Sequence, residues 1–169
     1  MNLLSLIFKD LTPMALKVGQ KAPKFSLPDQ DGQMHELKEY AGKWVLLYFY
    51  PKDDTPGCTV EACSLRDNWG AFKKAGVVVL GMSVDPVKKH KKFADKYSLP
   101  FTLLADEGKQ TVKDYGVWGE KKFMGRLYMG ISRNSFLIDP EGKIAKIYEG
   151  VKPSEHAEEV LADVKVLAK

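Results

Sequence analysis

Two unbroken apolar runs constrain this chain more than any other feature. Trp44 to Tyr50 and Val77 to Val84 each read as a strand buried on both faces, the pattern of a strand covered by helices in a parallel sheet. Parallel neighbours need a crossover, and the residues between the runs supply one. Pro51, which has no N–H to give to a central ladder, ends the first run. A loop holding Pro56 and Gly57 follows. A helical pattern then runs from Cys58 to about Lys74, with Val60, Cys63, Leu65 and Trp69 roughly on one face and Ala75-Gly76 as its stop. The core of the fold is therefore expected to be a βαβ unit.

The flanking segments extend it. Phe25–Leu27 and Met34–Leu37 surround Asp31-Gly32 and predict an N-terminal β-hairpin, with a short helical turn from Leu37 to Ala41. Asp85-Pro86 offers an N-cap and a first-turn proline for a helix carrying Lys88 to Tyr97. Phe101 to Ala105 reads as a strand and Gly108 to Tyr115 as a short helix. Trp118 to Gly130 reads as a long loop, which hints at function or a lid. Ile131–Asp139 and Lys143–Glu149 predict a hairpin around Pro140-Glu141-Gly142, and Pro153 onward an amphipathic helix with Val160, Leu161, Val164 and Leu167 on one side. The order is hairpin, β, α, β, α, β, α, hairpin, α. A βαβ unit followed by a ββα unit, with an extra strand and helix between, is the thioredoxin-like order. The expected class is α/β: a central mixed sheet flanked by helices, with an N-terminal hairpin.

The chain has 169 residues, enough for one domain with a substantial core. Residues 1–16 read as an extension of a domain spanning 17–169. Leu3 to Phe8 is apolar but too short for a membrane span, and it lacks the charged start and small-residue site of a secretory signal; Met14 offers an alternative start. Lys+Arg is 26 against Asp+Glu 22, a net charge of +4, too mild to imply nucleic acid. The run Lys88-Lys89-His90-Lys91-Lys92 reads as a solvated helix face.

Cys58 falls where the loop becomes the first turn of a helix. That turn presents unpaired N–H groups and a partial positive charge. Both favour a thiolate, so Cys58 is expected to be nucleophilic at neutral pH. Thr55 can turn its hydroxyl back toward the sulfur, and Pro51 can wall the pocket against water. A lone free cysteine is more often a small buried hydrophobe, but the strand–loop–helix setting reverses that preference. Cys63 is the only other cysteine, and a pair this close at a helix start reads as redox chemistry rather than a staple. Lys52, Asp53, Asp54 and Glu61 read as surface or loop-shaping residues. The Cys-x4-Cys spacing does not suit zinc, and His35, His90 and His156 lie far apart in sequence. With no Gly-x-Gly-x-x-Gly stretch either, no bound metal or cofactor is expected.

Pro51-x-x-x-Thr55-x-x-Cys58 resembles the active-site signature of peroxiredoxins. The longer run from Tyr50 to Cys63 is similar to the bacterioferritin-comigratory-protein (PrxQ) subgroup. The similarity covers about Lys17 to Leu167 and includes Tyr115–Lys122 and Arg133-x-Ser135-Phe136-Leu137-Ile138-Asp139. The resemblance implies a thiol-dependent peroxidase acting on hydrogen peroxide and organic hydroperoxides. Cys58 would be the attacking thiolate, with Thr55, the backbone N–H groups at Gly57 and Cys58, and Arg133 as donors to the peroxide. Cys63 would resolve the sulfenic acid, and thioredoxin would supply electrons. A cytoplasmic monomer is expected, with no nucleic acid or membrane partner.

Helix geometry conflicts with a Cys58–Cys63 disulfide. Residues five apart on a helix have Cα atoms roughly 8–9 Å apart, on sides about 140° apart. A disulfide needs less than about 7 Å. The turns from Cys58 to Cys63 are therefore expected to unwind in each cycle, unless the bridge forms between two chains. Other readings stay open. A thioredoxin-like disulfide oxidoreductase would usually carry Cys-x-x-Cys, and a cysteine phosphatase Cys-x5-Arg, where this chain has Ser64. A non-catalytic binding domain would not need Thr55, Cys58, Cys63 and Arg133 together.

Overall fold

The computed structural model describes residues 15–169. The expectations for residues 1–14, including the start at Met14, lie outside the described residues. The fold is organised on a five-stranded mixed sheet. Its centre is β3 (Trp44–Phe49), parallel to β4 (Val77–Ser83) on one side and antiparallel to β8 (Ser135–Ile138) on the other. Strand β5 (Thr102–Ala105) continues the parallel half beyond β4, and β9 (Ile144–Tyr148) closes the antiparallel half beyond β8. The N-terminal hairpin forms as expected from β1 (Ser26–Pro28) and β2 (Met34–Glu36), followed by a 3-10 turn over Leu37–Tyr40. No helix among the described residues is long and apolar enough to cross a membrane.

Alternation along β3 builds a core on each side of the sheet. Leu46, Tyr48 and Tyr50 pack with Cys58, Ala62 and Leu65 of α1 (Pro56–Asp67), with Phe93 of α3 (Val87–Tyr97), and with Val160 and Val164 of α5 (His156–Leu167). Val45, Leu47 and Phe49 pack on the opposite side with Leu80, Met82, Phe136 and Val112, the last from α4 (Gln110–Asp114). Burial on both faces is the physical content of the unbroken apolar run.

Four local expectations need correction. The helix after the first strand does not run on to Lys74. It stops at Asp67, and α2 (Trp69–Lys74) begins after Asn68, whose side-chain amide donates to the Ser64 carbonyl at 2.8 Å. A side chain that competes for the helix's own carbonyls interrupts it there. The buried face of α1 is Cys58, Glu61, Ala62 and Leu65, whereas Val60 is exposed. Asp85 does not cap α3. Its carboxylate turns inward to accept from the Asp53 N–H and the Ser83 hydroxyl, both at 2.8 Å.

Trp118 to Gly130 is not a loop. It forms a separate antiparallel hairpin of β6 (Trp118–Phe123) and β7 (Arg126–Ile131). Phe123, Met124, Leu127, Tyr128 and Met129 on it are all exposed, so the polar–apolar alternation that marks a half-buried strand is missing.

Candidate active site

Tyr48 pairs with Ser135 across β3 and β8, and the Phe49 N–H donates to the Asn134 carbonyl at 2.9 Å. The residues just before β8 are therefore held beside the C-terminal end of β3, where the loop into α1 departs. This register brings Arg133 to Cys58 across 75 positions of chain. Arg133 Nη2 lies 3.5 Å from Cys58 Sγ, and Nη1 donates to Glu61 Oε1 at 3.2 Å. Cys58 is buried and Cys63 half-buried, and both are free thiols.

Helix α1 starts at Pro56, with Thr55 at the N-cap position and Cys58 as the third helical residue. The first N–H groups of a helix have no intrahelical acceptor, so those of Gly57 and Cys58 are donors available at the sulfur's side of the turn. Gly57 also makes room. A Cβ there would lie 2.9 Å from Arg133 Nη2, so only glycine admits the guanidinium to its place over the sulfur. The Thr55 hydroxyl does not turn toward the sulfur. It donates to the Lys52 carbonyl at 2.9 Å, and no side chain caps the first turn. Pro51 is half-buried where the loop leaves β3.

Glu61 departs most from its expected place. It is fully buried rather than on the surface. Burial pushes its carboxyl up from the ordinary range to about 7, against the opposing pull of Arg133. Its Oε2 and the hydroxyl of buried Tyr48 have no hydrogen-bond partner among the described residues. Burial, helped by nearby Glu61, holds the Tyr48 phenol well above its ordinary range. For Arg133, burial opposes its charge while Cys58 and Glu61 favour it, and the net is upward. Lys121 on β6 is lowered by burial and by nearby Arg133, and Cys58 opposes the shift. The site thus pairs a sulfur with a guanidinium 3.5 Å away.

Asp53 is buried too, and its surroundings form a second cluster. Tyr50 donates its hydroxyl to Asp53 Oδ1 at 2.6 Å, and His90 Nδ1 lies 2.6 Å from Asp53 Oδ2. His90 Nε2 donates to the Leu104 carbonyl at 2.9 Å. Asp53, Asp85 and His90 stand close enough to share an ion, but the Asp53 carboxylate, both His90 ring nitrogens and Asp85 Oδ2 are engaged in these internal bonds. The cluster therefore reads as a structural anchor. The basic run on α3 is solvated only at its lysines, because His90 points into this cluster.

Sequence reasoning missed Glu61 and Asp53 as buried groups. The available signal was spacing: Glu61 lies three residues after Cys58, on the same helix face as Ala62 and Leu65. Asp53 carried no such signal, because its partner His90 comes from a distant helix.

A sequence model described as the AhpC/TSA family matches residues 18–147. Peroxiredoxin Bcp of Escherichia coli K12 is 57% identical over 146 residues, covering 86% of this chain and 94% of the relative. Peroxiredoxin Bcp of Bacillus subtilis is 45% identical over 152 residues, covering 90% and 97%. The solved structure of the bacterioferritin comigratory protein of Xanthomonas campestris matches with a TM-score of 0.84 at 35% identity, covering 90% of this chain and 100% of that one. A PrxQ mutant from Xylella fastidiosa matches at 0.86 and 33% identity, covering 91% and 98%.

Proposed function

The chain belongs to the AhpC/TSA family as a peroxiredoxin of the bacterioferritin-comigratory-protein type, and from that premise we propose how its residues reduce a peroxide. The Cys58 thiolate attacks one peroxide oxygen in line with the O–O bond. An S–O bond forms, the O–O bond breaks, and the leaving oxygen takes a proton to become water or an alcohol. Sulfur loses two electrons and the peroxide gains them, leaving Cys58 as a sulfenic acid.

The observation that carries this reading is the Arg133 guanidinium, 3.5 Å from a sulfur that sits in the first turn of α1. Fixed cationic donors stabilise both the thiolate and the charge that builds on the leaving oxygen. Glu61 holds the guanidinium in that orientation. Thr55, with its hydroxyl on the Lys52 carbonyl, serves through its backbone as the N-cap and must rotate its side chain to donate to a peroxide. Pro51 closes the pocket at the end of β3.

The Cys63 thiol then attacks the Cys58 sulfur. An S–S bond forms, the S–O bond breaks, and the oxygen leaves as water with the thiol proton. Both cysteines lie within one unbroken helix in the reduced protein, so this step requires the first turns of α1 to unwind. An external dithiol, thioredoxin in this reading, returns two electrons and two protons. An intramolecular disulfide needs no second copy, which suits a monomer, and the need for a dithiol reductant suits the cytoplasm. The exposed residues Phe123 and Tyr128 on the hairpin flank the entrance in this reading. Alanine there would change the ratio of alkyl to hydrogen peroxide rates.

The test is NADPH consumption with thioredoxin, thioredoxin reductase and hydrogen peroxide. Wild type turns over, Cys58→Ser does not, and Cys63→Ser stops after one slow turnover. Full turnover by Cys63→Ser would show that an external thiol resolves the sulfenic acid directly. A doubled mass of oxidised wild type under non-reducing conditions would show a bridge between chains.

A further inference from the structure

Both ends of the segment that carries Cys58 and Cys63 are tied to the last turn of α3. Upstream, the Asp54 carboxylate accepts from Lys96 Nζ at 2.8 Å and from the Tyr97 hydroxyl at 2.9 Å. Downstream, Arg66 Nη1 donates to the Tyr97 carbonyl at 2.8 Å. Asp54 has φ +56°, a left-handed conformation that L residues adopt only when their surroundings hold them there. Lys96 and Tyr97 supply that hold.

The two tethers next to each other in the loop differ in kind. The Asp54–Lys96 pair is exposed, with side-chain accessibilities of 44% and 57%. One residue earlier, the Asp53–His90 pair is 4% and 0% accessible, and the Asp53 N–H is bound to Asp85. Downstream of both, the first turn of α1 has no side-chain cap and no acidic residue to complement its dipole. The exposed tether is therefore the one that can open without exposing a buried charge.

We propose that Lys96 and Tyr97 are positioning residues for the resolving step. They hold Asp54, and through it the first turn of α1, wound while Cys58 meets peroxide; the Asp54 tether opens when Cys63 must approach. The Asp53–His90 anchor stays closed, so the unwinding is bounded by Asp53 on one side and Arg66 on the other. The proposal rests on the reading that Cys63 resolves Cys58 within one chain, and the step consumes nothing beyond the sulfenic acid and thiol already described.

The test uses Lys96→Met combined with Tyr97→Phe, which keeps the aliphatic stem and the ring and leaves the loop untouched. In the reduced protein, amide exchange over residues 59–65 should rise about threefold, the scale of an exposed pair, while the Asp53 amide and α3 stay as protected as in wild type. After a single addition of peroxide, stopped-flow fluorescence should show disulfide formation about threefold faster by the same measure, with attack on peroxide no faster. Mass measurement at high peroxide should show less over-oxidised Cys58. Unchanged exchange over 59–65 overturns the proposal whatever the disulfide does. A rise spread evenly over α1 and α3 also overturns it, as ordinary loss of stability. If exchange shifts as expected but wild type forms no intramolecular disulfide, the hold on the first turn stands and the role given to Cys63 fails.

Discussion

The two halves of the active-site loop are built in opposite ways. Around Asp53 the key polar groups have close partners: Tyr50 and His90 on its carboxylate, Asp85 on its N–H, Ser83 on Asp85, and Leu104 on His90. A few residues on, around Cys58, Glu61 satisfies one oxygen, its other oxygen and the Tyr48 hydroxyl have no partner among the described residues, and the sulfur has Arg133 at 3.5 Å. A fully satisfied buried network is rigid because every motion breaks a bond that water cannot replace. A partly satisfied one has less to lose on opening. The frame that aims the loop and the turn that reacts are thus adjacent in sequence but unlike in how firmly they are held.

The largest effect is expected on the reacting side. Cys58→Ser should abolish peroxide-dependent turnover while leaving the melting temperature near wild type. Arg133→Met should lower the rate constant for attack on peroxide by about 10²-fold, the scale for loss of a preorganised donor. It should do so with the Asp53 network intact by NMR. A full-rate Arg133→Met would show that the sulfur does not depend on the guanidinium.

On the anchored side the expected effect is on stability. His90→Leu leaves the buried Asp53 without its ring partner and should cost about 3 kcal/mol in chemical denaturation. A change within experimental error would mean that the network is not a rigid frame.

Glu61 gives an effect confined to a pH window. Its folded carboxyl is raised from 4.5 to about 7 by burial. Between those values the folded protein keeps a proton that the unfolded chain releases, so the contribution of this group favours folding below pH 4.5 and is lost as pH rises toward 7. The full change is about 3 kcal/mol. The difference in unfolding free energy between wild type and Glu61→Gln should therefore slope through that window and flatten above it. A difference independent of pH would place the Glu61 proton elsewhere.

Much of this arrangement is legible in the sequence. The apolar runs of β3 and β4 announce buried parallel strands, and Pro51, Thr55 and Cys58 mark the strand–loop–helix junction. Arg133 was legible through the family resemblance, because its place at the start of an apolar hairpin strand reads equally well as a surface charge. The hairpin of β6 and β7 was not, because neither of its faces is buried enough to impose alternation on residues such as Phe123 and Leu127. The anchor was hidden for a different reason. Asp53, Asp85 and His90 look like loop and surface residues one at a time, and only the parallel pairing of β3 with β4 brings their side chains together. Local pattern also misplaced the end of α1, where one Asn68 side chain outcompetes a helical periodicity that runs on past it.

The contrast between anchor and reacting turn is tested most directly by amide exchange on wild type, reduced and after one equivalent of peroxide. Residues 59–65 are expected to lose protection on oxidation while the Asp53 amide and the backbone around His90 keep theirs. Equal protection of 59–65 in both states would contradict this expectation, because Cys58 and Cys63 cannot be joined across an intact helix.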